Sequence, residues 1–142
     1  MKNIILILFL QVFVTNALNA QKLVSNLNEL HKIKEQEIMF INKPLSYLLG
    51  EIQPTIKRVI GSPFSQNGTS SVFMMYFISY EEKNKLQSQG IEPIHLFIEI
   101  KEDFKWNVKE RYNDRKLNWS IDDLEKYGHL TVLKVAIIGE LY

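Results

Sequence analysis

The stretch Asn42–Gly61, NKPLSYLLGEIQPTIKRVIG, sets the strongest limit on how this chain folds. Leu45, Leu48, Leu49 and Ile52 fall at i, i+3, i+4 and i+7, the spacing of a buried helix face. Asn42 is placed to cap that helix, Pro44 suits its first turn, and Phe40 or Ile41 can pack back on it as a staple. Pro54 then opposes continuation, and Ile56, Arg58 and Ile60 alternate with Lys57 and Val59 as a strand does. A helix and the sheet it covers therefore follow one another directly.

The remaining pattern fills in a small mixed domain. Leu23, Leu27, Leu30 and Ile33 form an apolar stripe that predicts a helix over Gln21–Gln36. Gly61–Ser71 is a loop with the Asn67-Gly68 turn pair. Val72–Tyr80 is apolar on both faces, which predicts a central strand, and the polar run Glu81–Gly90 predicts exposed helical turns ended by Gly90. Ile94, Leu96, Ile98 and Ile100 alternate with His95, Phe97, Glu99 and Lys101 in a half-buried strand. Phe104–Tyr112 continues an every-second-residue pattern that fits a further strand, with a helix as the alternative. Ser120 caps a short helix to Tyr127, with Asp123 three residues on and Gly128 at its end, and Leu130–Ile138 closes the domain as a β-prone strand. The short connections between strands predict an α+β fold. It comprises a mainly antiparallel sheet of about four or five strands, with helices packed on one face, in a single compact domain.

The first twenty residues read differently from the rest. Lys2 is followed by the apolar run Ile4–Val14, broken only by Gln11, and then by small and polar residues ending in Ala20. That order is the pattern of a secretory signal peptide, and the run is shorter than the ~20 apolar residues that span a bilayer. Cleavage after Ala20, with Ala17 as the runner-up, leaves a domain of residues 21–142 and no stable membrane span. The expected location is secreted or periplasmic. The chain has no cysteine, so an exported domain of this sequence depends on its packed core rather than on disulfides. Losing Lys2 leaves 16 basic and 16 acidic residues, a balance without the basic footprint of a nucleic-acid binder.

No motif for catalysis stands out. His31, His95 and His129 are far apart and share no metal spacing, and His95 and Glu99 are about 13 Å apart along an extended strand. The acidic pairs Glu81-Glu82, Glu102-Asp103 and Asp122-Asp123 read as solvated surface. There is no G-x-S-x-G, S-x-x-K, P-loop or G-x-G-x-x-G segment. The sequence therefore assigns no catalytic residue, cofactor or metal. Its best recognition patch is the segment bounded by two tryptophans, with Trp106, Arg111, Tyr112, Arg115 and Trp119, because interfaces are rich in Trp, Tyr and Arg. Stacking of Arg111 or Arg115 on an indole is the structural alternative. The functional expectation is a non-enzymatic binding or accessory module that contacts another exported or cell-envelope protein. A small hydrolase or ligand-binding enzyme, with a site assembled from distant residues, is the alternative.

Overall fold

Leu45, Leu48 and Ile52 are buried, as the spacing of the Asn42–Gly61 stretch requires, but the helix that carries the two leucines begins later than its cap signal and ends before Ile52. In the computed structural model, which describes residues 21–61, 68–107, 111 and 117–141, Asn42 adopts φ 61° and does not cap. Its N–H instead donates to the Val132 carbonyl at 2.8 Å, and Val132 N–H donates to Lys43 O at 2.9 Å. The helix then runs over Leu45–Gly50, and its first two free N–H groups, on Leu45 and Ser46, donate to the carbonyls of Leu130 and Gly128. Carbonyls from a distant segment thus satisfy donors that a capping side chain would otherwise meet. Asparagine tolerates the left-handed conformation, which lets the chain make this turn.

In chain order the described elements are a 3-10 turn at Leu27–Glu29, helix α1 (His31–Glu35), a 3-10 turn at Glu37–Met39, helix α2 (Leu45–Gly50), strands β1 (Arg58–Gly61) and β2 (Thr69–Tyr76), helix α3 (Tyr80–Ser88), strand β3 (His95–Lys105), helix α4 (Ile121–Tyr127) and strand β4 (Val132–Ile138). The four strands form one antiparallel meander in the order β1-β2-β3-β4. This is the α+β architecture that the alternation and short connections called for.

The expected helix over Gln21–Gln36 is broken. Val24 bridges to Ile52, with Val24 N–H on Glu51 O at 3.0 Å and Gln53 N–H on Val24 O at 2.8 Å. The Asn26 side chain then accepts from Asn28 N–H and starts a separate 3-10 turn. Asparagine competes with continuous helix by such local bonds. The apolar stripe survives the break, since Leu30 and Ile33 are both buried in the core.

The sheet's two faces differ. Val59, Phe73, Met75, Leu96, Ile98 and Val135 share the face that packs on Val24, Ile33, Phe40, Leu45 and Leu48. Arg58 and Ile60 of β1 point to the other face. Strand β2 starts within the expected loop, at Thr69, and stops at Tyr76 rather than Tyr80, because Ser79 forms a capping box with Glu82 and opens α3. Phe104 belongs to β3, which resolves the first half of the strand-or-helix alternative. Residues 108–110 and 112 lie outside the described residues, as do the expected signal peptide and Asn67.

Candidate functional site on the uncovered sheet face

The aromatic residues near the chain's second tryptophan form the end of the core. Phe73 stacks on Phe104 at 4.2 Å, and Trp106, Trp119 and Tyr127 surround it with ring separations of 5.4 to 5.7 Å. Trp106 is only 6% exposed, while Trp119 packs partly buried against the core. The Arg111 guanidinium covers the Trp106 ring at 4.2 Å. It also holds both carboxylate oxygens of Asp123, at 2.5 and 3.1 Å, and donates to Asn118 O at 3.0 Å. Three of the five residues of the expected patch are therefore brought together, but in the stacked arrangement named as the structural alternative. Tyr112 and Arg115 lie outside the described residues.

Asp123 corrects the expectation of a solvated carboxylate. It is 5% exposed and serves both as N3 of the α4 capping box and as the partner of Arg111. Burial pushes its carboxyl up, but Arg111 and the Ser120 backbone and hydroxyl outweigh that and hold it below the usual range. The capping-box position was legible in the sequence; the arginine twelve residues away was not.

A second polar group sits on the opposite face of the sheet, under α3. His95 stacks on Tyr76 with ring centres 4.3 Å apart. Its Nδ1 lies 3.0 Å from Pro93 O, which can only accept, so Nδ1 carries the proton, and the Glu92 carboxylate is 3.5 Å away. Tyr76 donates its hydroxyl proton to Glu92 Oε1 at 3.3 Å. Lys83 from α3 stands over the Tyr76 ring and donates to Gln87 Oε1, and Gln87 in turn donates to Glu92 Oε2. Burial drives the Tyr76 hydroxyl up to about 12, with the Glu92 charge adding to it, and burial drives the imidazole down. Both groups are neutral near pH 7. The sequence set His95 and Glu99 on one strand face but too far apart to meet, and the carboxylate that His95 does meet is Glu92.

Beyond that cluster the same face carries a row of residues that stay partly exposed among the described residues. The register places Ile60 opposite Met74, Met74 opposite Phe97, and Phe97 opposite Ala136, a row of apolar side chains across all four strands. All four are half-buried, and Ile138 beside them is exposed. Helix α3 bounds one side of the row, with Arg58 over the Tyr80 ring at 4.2 Å. The cross-strand pair Glu99 and Lys134 bounds the other. A shallow cleft of about 160 Å³ lies elsewhere, between Leu23, Phe40, Tyr47 and Glu51, and is below the ~300 Å³ at which small-molecule sites usually begin. Among the described residues no group of three or more His, Asp or Glu is placed to hold a metal, and no helix is long and apolar enough to cross a membrane. Compared with known proteins, the chain matches no family model, no curated protein and no solved structure.

Proposed function

We propose that this protein is a non-enzymatic exported binding or accessory module that meets another exported or cell-envelope protein through this partly exposed face of its sheet. The observation that carries this reading is the row Ile60–Met74–Phe97–Ala136, apolar, continuous across four strands and half-exposed. A contiguous apolar surface with a polar rim is the usual anatomy of a contact site, and Met and aromatic residues are enriched at its centre. The rim here carries both charge signs, with Glu99 and Lys134 on one side and Lys83 and Glu92 on the other. The export part of the reading rests on Lys2, the Ile4–Val14 run and Ala20, and N-terminal sequencing of the exported protein tests it, with Gln21 as the expected first residue.

The hydrolase alternative draws on the contact between His95 and Glu92. An imidazole that is 3% exposed, with Nδ1 committed to the Pro93 carbonyl, gives it little support.

The absence of cysteine makes the main test direct. A single cysteine introduced by Phe97→Cys carries a photo-crosslinker, and Lys85→Cys on the outer surface of α3 serves as the control. Crosslinking in the native compartment should yield one defined adduct from position 97 and none from position 85. Equal adducts from both positions, or none from 97, would remove the assignment of this face.

A further inference from the structure

Strand β4 is an edge strand and reads VLKVAII, with neither proline nor glycine and a single charge. Such a segment readily pairs with a copy of itself unless its edge is protected. Its edge is closed in two different ways. At Val132 the backbone of Asn42 and Lys43 does so, through the 2.8 and 2.9 Å bonds already described. At Val135 two side chains do so. Val135 N–H donates to Glu37 Oε1 at 3.0 Å, Lys34 Nζ lies 3.4 Å from Val135 O, and Lys34 pairs with Glu37 Oε2. The carboxylate stands where a neighbouring strand would present a carbonyl, and the ammonium where it would present an N–H. In an antiparallel ladder one residue exchanges both groups with the residue opposite. Lys34 and Glu37 together imitate that residue.

We propose that the Lys34–Glu37 pair is a releasable latch on β4, and that its release lets β4 pair antiparallel with β4 of a second copy of this chain about a two-fold axis at Val135. The geometry selects a second copy for three reasons. Pairing centred on Val135 returns to each copy the two bonds that the latch supplied. It sets Lys134 opposite Ala136, so no like charges face each other directly. It is also self-complementary, as a two-fold interface must be. The ladder is confined to residues 134–136, because the register shift at Leu133 ends the regular alternation and Val132 stays bonded to Asn42 and Lys43. The β1 edge offers no equivalent, since backbone covers it: Val59 N–H donates to Leu117 O at 2.8 Å, and Trp119 N–H lies 3.4 Å from Ile56 O.

Two cations face the Glu37 carboxylate, Lys34 from α1 and Lys134 from β4. The Lys34 bond, then the Val135 N–H, hold that carboxyl below its usual range, so both contacts persist in mild acid and weaken as Glu37 takes up a proton.

Glu37→Ala tests the proposal by two readouts. Amide exchange followed by NMR should rise about tenfold or more at Val135, the loss expected for a bond to a charged acceptor, while Ile98 in β3 stays unchanged. Light scattering behind size exclusion should show the native protein as a monomer and Glu37→Ala as a concentration-dependent dimer. Adding Ala136→Lys, which sets a second lysine opposite Lys134, should restore the monomer. Should Glu37→Ala fail to fold, Lys34→Met is judged by mass alone and should dimerise. Unchanged exchange at Val135, a variant that stays monomeric at every concentration, a dimer indifferent to Ala136→Lys, or a native protein already paired through β4 would each overturn the latch.

Discussion

The Trp106 indole lies over the backbone of Gly61, so that a Cβ on Gly61 would stand 2.5 Å from Trp106 Cγ and 2.8 Å from Cδ1. Gly61 is the last residue of β1, paired with Phe73, and the indole uses the space that any other residue would fill. Gly61→Ala should therefore cost about 1 to 3 kcal/mol, the range for forcing extra atoms into a packed core. A denaturant titration followed by tryptophan emission checks it. An unshifted midpoint would mean that the indole has room to move.

The Arg111–Asp123 pair makes a sharper claim, because its two halves are not equivalent. Replacing Arg111 with Met keeps some cover over Trp106 but leaves a buried carboxylate without its cation, which should cost about 3 kcal/mol. The sign with pH follows from Asp123, whose carboxyl is held below its unfolded value of 3.8. Its contribution is present above that value and is lost as pH falls through the lower folded one. The native protein should lose stability on acidification through this window, and Arg111→Met should lose less over the same interval. Parallel slopes for the two proteins would show that the pair does not set the acid limb.

What the sequence made legible was what short-range chemistry decides. Ser120 and Asp123 announced α4, the alternation of Leu96, Ile98 and Ile100 announced β3, and the apolar spacing of Leu45, Leu48 and Ile52 announced the covered face. Two differences trace to a partner far along the chain. Asn42 reads as a cap until Val132 takes its N–H, and the Gln21–Gln36 stripe reads as one helix until Val24 bridges to Ile52. The aromatic patch turns on the same kind of contact, because composition cannot say whether Trp106 faces water or Gly61. The candidate face depends on the pairing of Met74 with Phe97, which no local pattern reveals. The alternation at 94–101 did place Phe97 on the side away from the main core.

Helix α2 separates two leucines that the sequence treats alike. Leu48 is fully buried and Leu49 only partly so. Leu48→Ala should lower stability by about 2 to 5 kcal/mol, whereas Leu49→Ala should cost less than about 2 kcal/mol because less of its surface is removed from water. Denaturant midpoints of the two variants at a common slope decide the order. A reversed order would place the wrong face of α2 against the sheet.

His95 gives a pH dependence in a window of its own. Burial beneath Tyr76 drives its imidazole below the ordinary 6.5, against the opposing pull of the Pro93 carbonyl and the Glu92 charge. The unfolded chain therefore takes up a proton near pH 6.5 that the folded protein refuses. Stability is flat above that pH and falls as pH drops from about 6.5 towards the folded value, because the unfolded state there binds more protons. The carboxyls of Glu37, Glu102 and Asp123 are all held below 4.5 and act only at lower pH. Between about pH 6.5 and 5 the slope therefore belongs largely to His95, and His95→Gln should flatten it whatever the variant costs in absolute stability. Urea midpoints across that interval provide the measurement. A native slope of zero would place the imidazole proton on both states alike and remove the neutral, Tyr76-stacked histidine from the description of this face.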